Sequence, residues 1–189
     1  MRIMLDPGHG GSDPGAVNGE TGMRESSLVL NYANTILDLL RAEKSHTVGT
    51  TRTMDIFVSL PERVRRAREF NAQFFLSLHA NSAENPNAEG YEVWTSVGKT
   101  KSDEYATVLF NEIGNIFPEL KPRADWSDGD PDKEKNYYVL KETPMPAVLV
   151  ELGFICNKKE ALWMAERSTI DMYALAIVRG IREVGKRLA

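Results

Sequence analysis

Short apolar segments alternate with amphipathic segments along this chain of 189 residues, and the alternation limits the folds open to it. Residues 73–78 (QFFLSL) and 147–152 (AVLVEL) are apolar enough to be strands buried on both faces. Residues 26–43 and 168–188 instead place apolar side chains at the period of a helix. Alternating strands and helices indicate an α/β fold. We therefore predict a single layered domain over residues 1–189, with a twisted, mostly parallel sheet and helices on both faces.

The remaining elements follow from the same patterns and from helix-start signals. Ser26 or Ser27 is a candidate cap for the first helix, and Ser59 is the predicted N-cap of the second. A polar segment at 118–136, with Trp126 at its middle, is predicted to be a long surface loop, and such loops are often functional. Further strands are predicted at 2–5, 47–51 and 90–95, and further helices at 59–71 and 102–117.

The composition excludes several classes of protein. With 23 Lys and Arg against 27 Asp and Glu, the net charge is −4, which argues against a nucleic-acid partner. One cysteine permits neither an intramolecular disulfide nor a zinc site built from several thiolates. The sequence has no apolar run of the ~20 residues needed to span a bilayer, so we expect no membrane insertion. The first residues lack a signal-peptide pattern, which predicts synthesis in the cytoplasm without a signal peptide, or a leader already removed.

Four polar residues fall where a parallel sheet binds its ligands. His9 and His79 each follow a predicted strand, Glu151 lies near the end of a late strand, and Glu25 begins the first helix. Two histidines and a carboxylate with an open position form the ligand set of a catalytic zinc ion. A second carboxylate is then free to act as general base and acid. Taken singly, His9 is better explained as a loop histidine, His79 is as readily a structural residue as a ligand, and Glu25 is a helix-start charge. The scattered spacing is weak evidence.

Other reactive or charged residues have simpler explanations. Cys156 follows apolar residues, so we expect a small buried hydrophobe rather than a nucleophile. His46, in a polar connection, is expected to be a solvated loop histidine. Four arginines share the second helix with two glutamates, which favours a solvated, salt-bridged face over a nucleic-acid surface. These arginines are Arg63, Arg65, Arg66 and Arg68.

Five segments carry a family resemblance. They are LDPGHGGSDPGA at 5–16, the pair Gly22 and Glu25, TRTMDIFVSLPERVRRA at 51–67, LSLHANS at 76–82 and PAVLVELGFICN at 146–157. In order and spacing they resemble the motifs of the zinc-dependent N-acetylmuramoyl-L-alanine amidases of the amidase type 3 family, over nearly the whole chain. The 118–136 segment matches no motif of that family.

The resemblance implies a site and a reaction. It implies that His9, Glu25 and His79 bind Zn²⁺ and that Glu151 is the catalytic residue. The implied substrate is peptidoglycan, cleaved at the amide between N-acetylmuramic acid and L-alanine. Glu151 would take a proton from the attacking water and return it to the leaving amine. Asn81, two residues after a ligand, is a candidate for orienting the substrate or a ligand.

The sequence leaves several alternatives open. A zinc peptidase acting on the peptidoglycan stem peptide is the rival activity, and a non-catalytic wall-binding module is a weaker one. Arg52, Asp55 and Arg63 are expected to form an ion-pair framework behind the site, and Trp126 is a candidate contact for glycan or peptide. A phage endolysin or a mother-cell lysin, acting on the bacterial wall, would suit such a chain. A C-terminal wall-binding domain outside this sequence and the oligomeric state are left open.

Overall fold

In the computed structural model, which describes residues 1–188, strands and helices alternate from the first residues onward. The strands are β1 (Arg2–Pro7), β2 (Thr47–Thr50), β3 (Phe74–Asn81), β4 (Glu92–Thr95), β5 (Lys133–Glu134) and β6 (Ala147–Phe154). The helices are α1 (Glu25–Glu43), α2 (Leu60–Glu69), α3 (Lys101–Ile116), α4 (Tyr138–Glu142), α5 (Lys158–Ala165) and α6 (Arg167–Leu188). Among these helices none combines the length and the apolar character that crossing a membrane requires.

All six strands belong to one sheet, in the order β2-β1-β3-β6-β4-β5. The strands β2, β1, β3 and β6 run parallel to one another, and β5 runs parallel to β4. The pairing of β4 with β6 is antiparallel. The predicted fold class, a mostly parallel α/β sheet, is therefore confirmed. Because β1, β3 and β6 point the same way, their carboxyl ends meet at one edge, and the amino end of β4 joins them there.

The two faces of the sheet carry cores of unequal size. Helices α1, α3 and α6 cover one face and pack on a large cluster that includes Tyr32, Leu76, Leu109 and Tyr173. The short helices α2 and α4 lie over the other face, where a smaller cluster surrounds Phe75. Side chains alternate between the faces along a strand. The thinner face therefore also receives Ser77, His79 and Glu151, which follow Phe75 and Leu149 at even spacing.

The predicted helix starts are partly correct. Ser59 caps α2, where its hydroxyl accepts a hydrogen bond from the Glu62 backbone N–H. The predicted Ser26 or Ser27 cap is wrong, because α1 begins at Glu25 and both serines lie inside it. The Glu25 N–H, which has no partner within the helix, donates to the Ala16 carbonyl.

The predicted loop at 118–136 is partly structured. Lys133 lies opposite Trp94 in the short pairing of β5 with β4. Asp132 is buried, and its Oδ2 accepts a hydrogen bond of 2.6 Å from the Thr95 hydroxyl. Trp126 is 64% exposed, so the middle of the segment is at the surface as predicted. Helices α4 and α5 were not predicted, because they are too short to show a clear period.

Candidate active site

Three predicted ligands converge at the carboxyl ends of β1 and β3. His9 lies in the loop after β1 with a left-handed φ of 58°, and His79 lies inside β3 rather than after it. Glu25 is the first residue of α1 and is 4% exposed. One ligand atom from each side chain lies within 4.8 Å of the other two. The structure therefore brings together residues separated by up to 70 positions, as the sequence predicted.

Glu25 is the centre of this cluster. Its Oε1 lies 2.9 Å from His79 Nδ1 and 3.2 Å from His9 Nε2. The backbone N–H groups of Ala80 and Ala16 donate to Oε1 and Oε2, at 3.1 and 2.9 Å. The carboxylate is thus held in one orientation by the chain on two sides. Ring nitrogens and a carboxylate oxygen facing one point are the donor atoms that Zn²⁺ accepts in catalytic sites.

A residue that the sequence analysis missed orients His9. Asp13 Oδ2 lies 2.9 Å from His9 Nδ1, and Asp13 Oδ1 accepts a hydrogen bond from the Gly15 N–H. A carboxylate on one ring nitrogen fixes the tautomer and leaves the other nitrogen free to bind a metal. The signal was present in the sequence, since an acid four residues after a histidine in a glycine-rich turn can fold back onto it.

The glycines of this turn let the ligands approach the backbone. A Cβ on Gly8 would lie 2.3 Å from Cε1 of His79. A Cβ on Gly15, whose φ is 65°, would lie 2.6 Å from Oε2 of Glu25. A side chain at either position would displace a predicted ligand, so glycine is needed at both for packing and, at Gly15, for the turn as well.

Two buried arginines hold the backbone of the His9 loop. Arg63 Nη2 donates to the His9 carbonyl at 2.7 Å, and its Nη1 pairs with Asp6 Oδ1 at 2.7 Å. Arg52 Nη2 donates to the Gly8 carbonyl at 2.7 Å. The expected framework behind the site exists, with Asp6 rather than Asp55 as the buried acid. Arg63 is 2% exposed, so the prediction that it lies on a solvated face is wrong.

Glu151 lies beside the cluster as a carboxylate without a partner. Its Cα pairs with that of His79 across β3 and β6. Its Oε2 is buried and meets no hydrogen-bond partner among residues 1–188. Burial raises the pKa of Glu151 to about 7, with the nearby charges of Glu25 and Glu92 adding to the effect and that of His79 opposing it. A carboxyl group poised near neutrality can both accept and release a proton.

The ligand cluster is itself strongly polarised. Burial lowers the pKa of His9, but hydrogen bonds and charge from Glu25 and Asp13 outweigh it and raise that pKa to about 9. Burial would raise the pKa of Glu25, yet the two histidines hold it far below its usual range. The carboxylate therefore stays ionised, the state in which a carboxylate can bind a metal.

A pocket opens from the predicted ligands to the surface. It has a volume of about 370 Å³, and His9 and His79 form part of its wall. Apolar side chains at the start of α2 and just before it form another part. Among them, Phe57 is 57% exposed and Leu60 is 50% exposed.

The remaining candidates lie outside the cluster. Asn81 ends β3, and its Oδ1 accepts from the Ser82 N–H, so its role stays a prediction. Cys156 is partly exposed rather than buried as predicted, and its Sγ accepts from the Ala83 N–H at 3.3 Å. His46 lies just before β2, near the opposite edge of the sheet, and its ring nitrogens are buried, so its predicted solvation is also wrong.

The fold and the candidate site together indicate a class of enzyme. Two histidines and a carboxylate, with a partnerless carboxylate on the next strand, are typical of metal-dependent hydrolases. The Amidase_3 family model, described as N-acetylmuramoyl-L-alanine amidase, matches residues 3–183. The chain belongs to this family. The predicted enzyme class, a hydrolase of amide bonds, is confirmed at the level of the family.

Relatives and solved structures agree with this membership. A sporulation-specific N-acetylmuramoyl-L-alanine amidase of Bacillus subtilis is 34% identical over 184 residues, which cover 97% of this chain and 68% of that protein. An endolysin of Bacillus phage SPP1 is 32% identical, over 96% of this chain and 65% of the phage protein. The chain thus spans about two thirds of these curated relatives. The CwlV amidase catalytic domain of Bacillus (Paenibacillus) polymyxa has a TM-score of 0.88 at 29% identity, over 98% of both chains.

Removing the buried guanidinium of Arg63 is expected to destabilise the protein. Arg63→Ala leaves Asp6 charged and unpaired in the interior, which lowers the free energy of unfolding by roughly 3–5 kcal/mol. Urea unfolding followed by circular dichroism measures the change. The matched control is Arg65→Ala, since Arg65 lies on the same helix but pairs with Glu62 and Glu69 at the exposed surface. Equal stability of the two variants would contradict the assignment of Arg63 to the framework.

Proposed function

We propose that this chain hydrolyses the amide bond between N-acetylmuramic acid and L-alanine in peptidoglycan, with one Zn²⁺ held by His9, Glu25 and His79. The observation that carries the proposal is the convergence of these three ligand atoms beside Glu151, in a chain of the amidase family. The proposed place of action is the bacterial cell wall, in phage or mother-cell lysis. A phage endolysin and a sporulation-specific amidase among the relatives support this.

The donor set fits zinc in three respects. Its atoms are two ring nitrogens and one carboxylate oxygen, Glu25 is kept ionised, and Asp13 orients His9 from behind. When bound, the ion supplies Lewis-acid polarisation of the scissile carbonyl and of the attacking water. Three protein ligands also leave a position open for substrate.

Glu151 performs the proton transfers. Its side chain lies next to His79 and has no competing hydrogen bond to a protein donor within the part of the chain that the structure describes. It accepts a proton from water as the water attacks the lactyl carbonyl. It then gives this proton to the nitrogen of L-alanine, which leaves as an amine. A pKa raised toward neutrality by burial suits both steps.

The bond that is cleaved tests the proposed reaction. Purified protein loaded with zinc is expected to release intact stem peptides from peptidoglycan and leave a free lactyl group on muramic acid. Mass spectrometry of the digest identifies both products. New termini inside the peptide would instead indicate a zinc peptidase and contradict the proposal.

Glu151→Gln is expected to lower turnover by at least ~100-fold, because the amide can neither take up nor release the proton. Bound zinc should stay unchanged, since Glu151 is outside the ligand cluster. Release of lactyl groups and metal content are measured on the same sample. Glu84→Gln, an exposed glutamate in the loop after β3, is the control. Near-normal turnover of the Glu151 variant would refute its role.

His79→Ala is expected to lower the bound metal well below one ion per chain. The substitution removes one of three ligands and leaves Glu25 Oε1 with only one histidine. Metal analysis after exhaustive dialysis gives the stoichiometry. His46→Ala serves as the control, because His46 lies apart from the cluster. Full zinc content in the His79 variant would rule out this ligand set.

A further inference from the structure

A second buried carboxylate lies next to Glu151. Glu92, the first residue of β4, is 3% exposed, and its Cα pairs with that of Glu151 across β4 and β6. Directly paired residues of neighbouring strands project from the same face of a sheet. His79, Glu151 and Glu92 therefore form one row across three strands, and Glu92 ends the row on the side away from the metal ligands.

Two cations share this one carboxylate. Arg123 Nε lies 2.6 Å and Lys133 Nζ 3.0 Å from the same oxygen, Glu92 Oε1. Both cations come from the segment between α3 and α4, and backbone pairing fixes both. The N–H of Arg123 donates to the Tyr91 carbonyl, and Lys133 lies opposite Trp94 in β5. Two positive charges against one negative charge leave one positive charge in excess.

The excess charge is accessible. The Arg123 side chain is 34% exposed and the Lys133 side chain is 23% exposed. Aromatic rings support both, since the guanidinium lies 5.0 Å from the Phe154 ring and the ammonium 5.3 Å from the Trp94 ring. No second acidic side chain within residues 1–188 forms an ion pair with either group. The guanidinium has further N–H donors available for a planar carboxylate.

Two further carboxylates lie within electrostatic reach of these cations, and both accept hydrogen bonds from backbone N–H groups. Glu160 lies within electrostatic reach of Arg123, but its two oxygens accept hydrogen bonds from the backbone N–H groups of Gly90 and Phe154. Asp125 lies within electrostatic reach of Lys133, and its Oδ1 accepts a hydrogen bond from the Ser127 N–H. Within the described residues, neither forms an ion pair with Arg123 or Lys133.

We propose that Arg123 and Lys133 form a carboxylate-binding subsite for the stem peptide, at the residue that follows the scissile L-alanine. The inference rests on the proposed function. The saccharide next to the bond offers no charge, whereas a γ-linked glutamate after L-alanine carries a free α-carboxylate. Two extended residues reach roughly 7 Å from the scissile carbonyl. Neighbouring strands are about 5 Å apart, so Glu92, one strand beyond Glu151, lies on a length scale comparable with that reach.

A pair of substrates that differ in one charge tests the subsite. They are N-acetylmuramoyl-L-alanyl-D-glutamate, with a free α-carboxylate, and N-acetylmuramoyl-L-alanyl-D-isoglutamine, in which that carboxylate is an amide. The zinc-loaded wild type is expected to prefer the acid about 10- to 100-fold in kcat/KM, mostly through KM, as for a charged hydrogen bond. In Arg123→Gln and in Lys133→Gln the ratio of kcat/KM for the acid to kcat/KM for the amide should fall toward one. Lys121→Gln, a nearby exposed lysine outside the cluster, should keep it.

The ratio of kcat/KM for the two substrates distinguishes a lost carboxylate contact from general structural damage. If either variant slows both substrates equally and keeps the preference, the residue only supports Glu92, and the subsite is refuted for it. A wild type that cleaves both substrates without preference overturns the proposal while leaving the proposed function intact. If the wild type cleaves peptidoglycan at the lactyl amide but cleaves neither small substrate, the affinities of the two compounds are measured directly. Equal affinities there also overturn the subsite. Failure to release lactyl groups from peptidoglycan contradicts the proposed function instead.

Discussion

The pairing register of β3 with β6 is the constraint on which the site depends. It places His79 opposite Glu151, and the antiparallel pairing of β4 adds Glu92 to the same row. A slip of one residue would turn Glu151 toward the large apolar core under α1, α3 and α6. Such a slip is strongly opposed, because Val148, Val150 and Leu152 would then leave that core. The apolar packing of one face thus fixes the chemistry of the other.

Buried charge provides the second constraint. Arg52 and Arg63 lie under the His9 loop and donate to its carbonyl groups, and Asp6 pairs with Arg63. The loop has a left-handed residue at His9. The contribution of these buried charges to stability is limited, because desolvation offsets much of the attraction within a buried ion pair. Their contribution to geometry is larger, since they satisfy backbone groups that a sharp turn leaves without partners.

The sequence predicted the parts of the site that local pattern and family motifs encode. Apolar strands and helical periods were enough for the α/β fold, and the motifs were enough to predict His9, Glu25 and His79 as one cluster. Partners that the chain brings together only through tertiary contacts could not be predicted in this way. Arg63 has the pattern of an exposed helix position, yet it reaches under the sheet to Asp6. The excess positive charge at Glu92 depends on residues 31 and 41 positions further along the chain.

The antiparallel strand has a consequence for how such a protein can diversify. The amino end of β4 lies at the same edge of the sheet as the carboxyl ends of β1 and β3, which places Glu92 beside the site. The segment after α3 contacts Glu92 from the side away from the proposed metal ligands. All three proposed metal ligands lie within the first 79 residues, whereas the cations beside Glu92 come from positions 123 and 133. Insertions and substitutions between α3 and α4 can therefore change the charged surface beside Glu92 while the part of the chain that carries the proposed metal ligands stays the same.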